Sequence, residues 1–208
     1  MKVAVLAANG KSGSLIVKEA LEKGLLVSAF VREKSENVPS GARLIKKDIF
    51  ALESKDLAEF DAVVDAFGEW ENLELHEKHM KHLAKLFETL PNTRLLVVGG
   101  AGSLFMDKEH KTKLMDIPEF PSEYMGVARA TASALEILRN ENFNWTYLCP
   151  AAEFVFEDAK TGYILGGEEF FVNSKGQSRG SYADYAEAMV DLILKGGHKK
   201  ERLSVISK

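Results

Sequence analysis

The residues from Val3 to Gly13 constrain the fold of this chain more than any other segment. An apolar run of strand length ends at Ala7, glycines follow at Gly10 and Gly13, and a helix-like pattern begins at Ser14. Glycine at these places lets the chain turn tightly, lets a phosphate approach the backbone and lets the helix pack close to the strand. Because the start of such a helix offers free N–H groups to an anion, the Ala-x-x-Gly-x-x-Gly spacing predicts a site for a dinucleotide diphosphate.

A second phosphate-binding motif fits the same residues less well. Gly10-Lys11-Ser12 matches the end of the Gly-x-x-x-x-Gly-Lys-Ser loop of nucleoside triphosphatases. That loop would need a glycine at position 5, where Val5 lies within the predicted strand, and too few residues are left to form it. The pattern therefore favours dinucleotide binding over triphosphate hydrolysis.

Length and charge argue against several other classes of protein. The 208 residues fit one domain with a substantial core, and a net charge of −4 gives no reason to expect binding to nucleic acid or to an anionic membrane. No apolar run approaches the roughly 18–20 residues that span a bilayer, and the chain begins with a strand rather than a signal peptide. The single cysteine, Cys149, cannot form an internal disulfide, so we expect a cytoplasmic protein.

Strand-like and helix-like stretches alternate along the chain. The predicted strands are Lys2–Ala7, Leu25–Val31, Ala42–Lys47, Ala62–Ala66, Arg94–Val98, Trp145–Leu148 and Arg202–Ile206. The predicted helices are Ser14–Lys23, Leu73–Leu90, Ser122–Asn140 and Tyr182–Lys195. Several strands are nearly continuous in Val, Leu and Ile, as parallel strands buried on both faces are. We expect a single α/β domain over residues 1–208, a Rossmann-type doubly wound parallel sheet, with irregular segments 104–121 and 151–179 lining a substrate pocket.

The end of the second predicted strand bears on the choice of cofactor. An acid about twenty residues past the glycines would bind the ribose 2′-hydroxyl of NAD, whereas an arginine accommodates the 2′-phosphate of NADP. Arg32 stands there, and Lys11 could add a second positive charge, but the neighbouring Glu33 could instead bind the ribose. The sequence therefore favours NADP(H) and leaves NAD(H) open. Asp48 could accept a hydrogen bond from the adenine with Ile49 against the ring, or could simply cap a turn.

Seven short segments in this order resemble a known family. They are Ala-Ala-Asn-Gly-Lys-Ser-Gly at 7–13, Phe30-Val31-Arg32, Lys47-Asp48-Ile49, Asp65-Ala66-Phe67-Gly68, the glycine-rich stretch 97–103, Cys149-Pro150-Ala151 and Ser-Tyr-Ala-Asp-Tyr-Ala at 181–186. The chain resembles the atypical short-chain dehydrogenase/reductases over nearly its whole length. It is most similar to their NAD(P)H-flavin reductase-like, or biliverdin-IXβ reductase-like, group.

The resemblance implies a Rossmann fold that binds NADP(H), with the nicotinamide near residues 101–103 and 150–152. The residues expected to contact the cofactor are Ala7, Asn9, Gly10, Lys11, Ser12, Gly13, Arg32, Asp48, Ile49, Ala66, Phe67, Gly68, Gly100, Ala101, Pro150 and Ala151. A flavin would then be a substrate rather than a bound prosthetic group.

One departure from the wider superfamily bears on the chemistry. Many of its members carry Tyr-x-x-x-Lys, in which the lysine lowers the tyrosine pKa, but Ala128 stands four residues after Tyr124. The other tyrosines also lack a lysine at that spacing; they are Tyr147, Tyr163, Tyr182 and Tyr185. An unassisted tyrosine is a poor acid at neutral pH, so alcohol and ketone chemistry by that route is disfavoured. The candidate catalytic residues are Ser103, as a hydrogen-bond donor or a turn residue, and Tyr124, as a pocket wall or weak donor.

The histidines of the second predicted helix do not form a metal site in this interpretation. His76, His79 and His82 are spaced three residues apart, so their side chains diverge by about 60° at each step. His76 instead falls in the register of the buried apolar stripe. No metal site is predicted. In the resembled superfamily this helix often lies at a subunit contact, so the protein is expected to be a monomer or a homodimer.

These observations leave three functions open. The first is an NADPH-dependent reductase of a small conjugated acceptor such as a flavin or a quinone, since hydride transfer to such a ring needs mainly the alignment of two ring systems. The second is a non-enzymatic NADP(H)-binding redox sensor. The third is a nucleotide-sugar epimerase or dehydratase, which is disfavoured because only 58 residues follow Pro150, too few for the usual substrate lobe.

Overall fold

The fold alternates strands and helices along most of the chain. The structure, a computed structural model, describes residues 1–33, 35–157 and 159–208. Its strands are β1 (Lys2–Leu6), β2 (Leu26–Val31), β3 (Arg43–Lys46), β4 (Ala62–Asp65), β5 (Arg94–Val98), β6 (Trp145–Cys149), β7 (Glu153–Val155), β8 (Tyr163–Gly166), β9 (Arg179–Ser181) and β10 (Glu201–Ser207). Its α-helices are α1 (Lys11–Glu22), α2 (Ser54–Leu57), α3 (Glu74–Phe87), α4 (Ser122–Arg139) and α5 (Tyr182–Lys195).

Eight strands form one sheet in the order β3-β2-β1-β4-β5-β6-β10-β8. All neighbouring pairs are parallel except β10 and β8 at one edge. The chain runs outward from β1 to β3 and then returns to pair β4 with the other side of β1. The strand order therefore reverses between β1 and β4, which is where open α/β sheets bind ligands, at the carboxyl ends of the strands.

Helices cover both faces of the sheet. Alternate residues of β1 point to opposite sides: Val3 and Val5 pack in the apolar cluster that includes α1 and α5, and Ala4 and Leu6 pack in the cluster that includes α3 and α4. Burial on both faces explains why the central strands are apolar throughout. The predicted doubly wound α/β fold is confirmed.

The structure shifts some of the predicted elements and adds others, including α2 and β9. Helix α1 begins at Lys11 rather than Ser14, because Gly10 is its extended N-terminal cap and the three following residues form the first helical turn. The segment 151–179, predicted to be irregular, contains β7 and β8. Strands this short give little periodic signal, and β8 pairs antiparallel with β10. In the part of the chain that the structure describes, every helix is too short or too polar to cross a membrane.

Candidate functional site

The glycine turn after β1 brings the start of α1 against the strand. Ala7 has a left-handed φ of +52°, and its carbonyl accepts a hydrogen bond of 3.0 Å from the Gly10 amide. A Cβ atom at Gly13 would lie 2.5 Å from the Ala7 oxygen and 3.0 Å from the Ala8 Cα, so a side chain at this position would force the helix away from the strand. Only glycine permits this close approach.

The N-terminus of α1 is open to an anion. Gly10 is exposed, and no described side chain caps this end of the helix. The first amide groups of a helix have no partner within the helix, and the helix dipole places partial positive charge beside them. Lys11, also exposed, adds a full charge, and its Nζ lies 5.9 Å from the ring centroid of Phe156. The sequence-predicted diphosphate site is thus an accessible, positive end of a helix.

The ends of β2 and β3 lie beside this turn. Arg32 is exposed, and it has no hydrogen bond or ion pair with the rest of the chain that the structure describes. Asp48 caps the short 3₁₀ turn that follows β3, since one carboxylate oxygen accepts a 2.8 Å hydrogen bond from the amide of Phe50. Its other oxygen has no hydrogen-bond partner among the residues that the structure describes. Ile49 is buried among the apolar residues on the α3 side of the sheet, so its predicted contact with adenine stays a prediction.

A buried histidine–aspartate pair fixes the segment that follows β4. The Oδ2 atom of Asp65 lies 2.8 Å from Nε2 of His79, while Oδ1 accepts a hydrogen bond from the amide of Phe67. The Phe67 ring stacks on the His79 ring, with centroids 4.1 Å apart. His79 therefore holds the predicted cofactor segment 66–68 through both its hydrogen bond and its ring face.

The partners of His79 indicate its charge. Its Nδ1 donates to the carbonyl of His76 at 2.8 Å, so its other nitrogen must also carry a proton if it is to donate to the Asp65 carboxylate. Burial opposes protonation, but the charge and hydrogen bond of Asp65 outweigh it, and the pKa of His79 is raised. His76 differs, because burial lowers its pKa. The pair at the end of β4 thus favours the protonated form of His79, and both side chains are nearly out of contact with solvent.

The next turn, at Glu69–Asn72, places an aromatic side chain in solvent. One carboxylate oxygen of Glu69 accepts hydrogen bonds from the amides of Trp70, Glu71 and Asn72 at 2.9–3.2 Å, and these bonds lower its pKa. Trp70 is 65% exposed, so it lies outside the apolar core. Its indole meets the ring of Tyr124 edge to face, with centroids 6.1 Å apart.

The glycine-rich segment after β5 packs too closely for larger residues. A Cβ atom at Gly100 would lie 2.7 Å from the Thr131 hydroxyl oxygen, and one at Gly102 would lie 2.7 Å from Cβ of Ala128. Ala128 is thus buried in the contact between α4 and this segment. A lysine side chain at position 128 would begin inside that contact, which gives a packing reason for the missing Tyr-x-x-x-Lys lysine.

Ser103, at the end of this segment, belongs to a buried network. It is 2% exposed, and Nη1 of Arg202 donates to its hydroxyl at 3.1 Å and to its carbonyl at 2.5 Å. The neighbouring Cys149 is fully buried, and burial raises its pKa to about 12, so its thiol is uncharged at neutral pH. The catalytic role of Ser103 stays a prediction, and in this arrangement its hydroxyl already has a strong donor.

The carboxyl edge of the sheet collects most of the predicted site residues. They follow β1, β2, β3, β4, β5 and β6 in turn, as the parallel order requires. Pro150 and Ala151 are buried where β6 ends, and Tyr124 stands at the start of α4. Sequence reasoning missed the contacts that support this edge: Asp65 with His79, Glu69 with its turn, and Arg202 with Ser103. Among the described residues, no group of three or more His, Cys, Asp and Glu side chains could hold a metal ion.

Comparison with known proteins identifies the family. Residues 7–195 match a family described as NAD(P)H-binding. The chain belongs to this family. SP1627 of Streptococcus pneumoniae TIGR4, proposed to be an NADH-flavin reductase, is 45% identical; its crystal structure aligns over 100% of both chains with a TM-score of 0.95.

Two other relatives extend the comparison. YwnB of Bacillus subtilis (strain 168), described as uncharacterized, is 43% identical over 100% of this chain and 99% of its own. A Bacteroides thetaiotaomicron protein proposed to be an epimerase is 30% identical, with a TM-score of 0.87 over 99% of this chain and 96% of its own. The resemblance to an NAD(P)H-binding, flavin reductase-like group is confirmed.

The NAD(P)H-binding site fits its cofactor in this chain. The close contact at Gly13 and the uncapped start of α1 are the features that a diphosphate needs. Arg32, with no partner among the described residues, is free to turn toward the adenosine end of a nucleotide. The contact of the 100–102 segment with the nicotinamide stays a prediction. A nicotinamide cofactor supplies hydride chemistry there.

Proposed function

We propose that this protein is an NADPH-dependent reductase of small conjugated acceptors, flavins or quinones, and that it acts without a tyrosine–lysine pair. The observation that carries the proposal is the packing at position 128. Ala128 fills the contact with Gly102, so the helix that bears Tyr124 offers no lysine to lower the tyrosine pKa. An acceptor that delocalises the incoming charge over its own ring needs no such acid.

The protein's part in this reaction is binding and alignment. The start of α1 and Arg32 hold the nucleotide, and the segments 65–70 and 99–103, which follow the neighbouring strands β4 and β5, lie at the carboxyl edge of the sheet where the nicotinamide and the acceptor would meet. A hydride would carry two electrons from the dihydronicotinamide to the acceptor ring, and a proton from solvent completes the reduction. The preference for NADPH rests on Arg32 and Lys11, whose positive charges suit a 2′-phosphate.

The test is NADPH oxidation, followed by absorbance, with riboflavin, FMN, FAD and menadione as separate acceptors. Anaerobic and aerobic reactions separate direct acceptor reduction from oxygen consumption. We expect acceptor-dependent oxidation that saturates with acceptor and is slower with NADH. No oxidation above the rate without protein, with any of the four acceptors, would end the proposal.

A non-enzymatic redox sensor is the second candidate. The observation that favours it is that the hydroxyl groups beside the glycine-rich segment already have hydrogen-bond partners within the protein. The Ser103 hydroxyl accepts from Arg202, and the Tyr147 hydroxyl donates to the Thr131 carbonyl at 3.0 Å. A sensor would bind NADP⁺ and NADPH without turnover, and its association with a protein partner would differ between the two. The acceptor assay and a pull-down with each nucleotide separate the two candidates.

A further inference from the structure

The Glu69–Asn72 turn holds Trp70 in solvent on a rigid support. Three backbone amides donate to the Glu69 carboxylate, and the Glu69 carbonyl lies 2.9 Å from Nε2 of the buried His76. Leu73, directly after the turn, packs against Gly126 so tightly that a Cβ there would lie 2.7 Å from a Leu73 methyl carbon. The turn is therefore fixed to both α3 and α4. These contacts hold the backbone of Trp70 in place while its side chain is exposed to solvent.

The position of Tyr124 places this aromatic pair beside the glycine-rich segment. Tyr124 and Ala128 are four residues apart and lie on one face of α4, one turn from each other. Ala128 contacts Gly102, so Tyr124 lies one turn further out on the side of α4 that faces the glycine-rich segment. At its other end, the turn lies close enough to Arg32 for the arginine charge to help lower the pKa of Glu69. The turn thus lies near both Arg32 and the glycine-rich segment, which are the two predicted ends of the nucleotide site.

The arrangement of the two rings leaves aromatic surface available. Trp70 is 65% exposed and Tyr124 is 48% exposed, with an interplanar angle of 72°. An edge-to-face pair presents the face of one ring and the edge of the other to a ligand. Two aromatic side chains held in fixed positions lose little conformational freedom when a flat ring stacks on them.

The acidic residues next to Trp70 and Tyr124 in the sequence favour uncharged rings over anionic ones. Glu71 and Glu123, both exposed, adjoin Trp70 and Tyr124 in the sequence. An anionic group brought beside these carboxylates would be repelled, whereas an uncharged ring would not be.

We propose that Trp70 and Tyr124 form a stacking platform for an uncharged conjugated acceptor, of the quinone or riboflavin kind. This inference rests on the proposed function and specifies its acceptor. The platform binds the ring of the acceptor, and the acidic neighbours disfavour acceptors that carry a phosphate. Riboflavin and FMN share one ring system and differ by a phosphate, so they make a matched pair of ligands.

The experiment measures acceptor binding to the protein saturated with NADP⁺, so that it does not depend on turnover. Equilibrium dialysis gives the affinities for riboflavin, FMN and menadione in wild type, Trp70→Ala, Trp70→Phe and Leu194→Ala. The last variant removes an exposed apolar side chain on α5, away from the cleft. Thermal unfolding and the affinity for NADPH confirm that each variant is folded and binds nucleotide.

We expect Trp70→Ala to weaken riboflavin and menadione binding by about tenfold, with Trp70→Phe and Leu194→Ala close to wild type. Riboflavin should bind the wild type more tightly than FMN, and added salt should narrow the difference. Equal affinity in wild type and Trp70→Ala, or no acceptor binding at all, would overturn the platform, and tighter binding of FMN would overturn its selectivity for uncharged rings. If the acceptors oxidise NADPH and Trp70→Ala leaves the KM for the acceptor unchanged, the platform fails while the reductase proposal stands. If the acceptors bind at Trp70 but never oxidise NADPH, the reductase proposal fails instead.

Discussion

The two ends of the cleft are built in different ways. At the diphosphate end, backbone atoms and two glycines within residues 7–13 make the site, with few side-chain contacts. At the ring end, side chains far apart in the sequence make it: Asp65 binds His79 across 14 positions, and Arg202 reaches Ser103 across 99. A backbone site tolerates almost no added atom, whereas a side-chain site depends on charge and on partners that must be present together.

The sharpest way to break the diphosphate end is to add a side chain at Gly13. In Gly13→Val the Cβ atom would clash with the Ala7 carbonyl, so α1 must move and its amides no longer face the diphosphate. We expect NADPH oxidation to fall by about 100-fold, the size of effect that a displacement of about 1 Å produces. The measurement is the rate at subsaturating NADPH. Gly167→Ala is the control, because an added Cβ there makes only an ordinary 3.7 Å contact; a Gly13 variant as active as this control would contradict the account.

The ring end should instead be destabilised by the loss of the charged partner of Asp65. His79→Gln removes the imidazolium that pairs with the buried Asp65 carboxylate, and breaking such a pair costs about 3 kcal/mol of unfolding free energy. Because folding raises the pKa of His79, this stabilisation is complete below the unfolded pKa of about 6.5 and is lost as the pH rises through the folded value. Urea unfolding of both proteins at several pH values should show a difference that narrows as the pH increases.

The same helix supplies the control for that series. His82→Gln changes a histidine whose Nε2 is buried without a hydrogen-bond partner among the described residues, so no ion pair is lost and the effect should be small. His76 has the opposite effect on the pH dependence of the free energy of unfolding. Because burial lowers its pKa, its contribution makes the protein less stable as the pH drops below about 6.5. A His79→Gln difference that widens toward alkaline pH would be inconsistent with an imidazolium at this position.

A smaller effect on nucleotide affinity is expected for Arg32, the side chain that we propose makes the site prefer NADPH over NADH. Arg32→Ala should weaken NADPH binding by about tenfold and leave NADH binding unchanged, since charge-assisted hydrogen bonds to a phosphate contribute about 1.5–3 kcal/mol. Calorimetric titration with each nucleotide measures both affinities. Arg43→Ala removes an exposed arginine at the start of β3, on the opposite edge of the sheet, and should change neither. Equal losses for NADPH and NADH at Arg32 would show that the residue does not discriminate between them.

The smallest effect is expected for the tyrosine hydroxyl. Tyr124→Phe keeps the ring against Trp70 and removes only the hydroxyl, which has no lysine nearby in α4 to activate it. We expect kcat with menadione to stay within about twofold of wild type. A loss of about 100-fold would instead make Tyr124 a proton donor and would require a different source for its activation.

Residues within one strand–turn–helix unit could be predicted because their requirement is local. The Gly10 and Gly13 spacing, the run of apolar strands and the buried face of α3 all follow from periodicity and backbone conformation. The prediction for α1 missed only its first turn, because Lys11, Ser12 and Gly13 were assigned to the loop. The buried positions of His76 and Met80 confirm the predicted stripe.

The ring end could not be predicted to the same degree, because it depends on contacts between distant segments. The sequence places Asp65 and His79 on different elements, and their pairing follows only once α3 packs beside the end of β4. Nor does the sequence say that Ser103 would be bound by Arg202, or that Trp70 would be held in solvent by Glu69. Side chains at this end are common residue types, and no spacing rule connects them.

The position of bound nucleotide tests the central claim most directly. A crystal structure of the protein with NADP⁺ should place the diphosphate within hydrogen-bond distance of the first amides of α1, the 2′-phosphate at Arg32, and one face of the nicotinamide against the 100–102 segment, with its other face open toward the Trp70–Tyr124 pair. A dinucleotide bound elsewhere, or one whose nicotinamide face is covered by the protein's own side chains so that no second ring can reach it, would contradict the account.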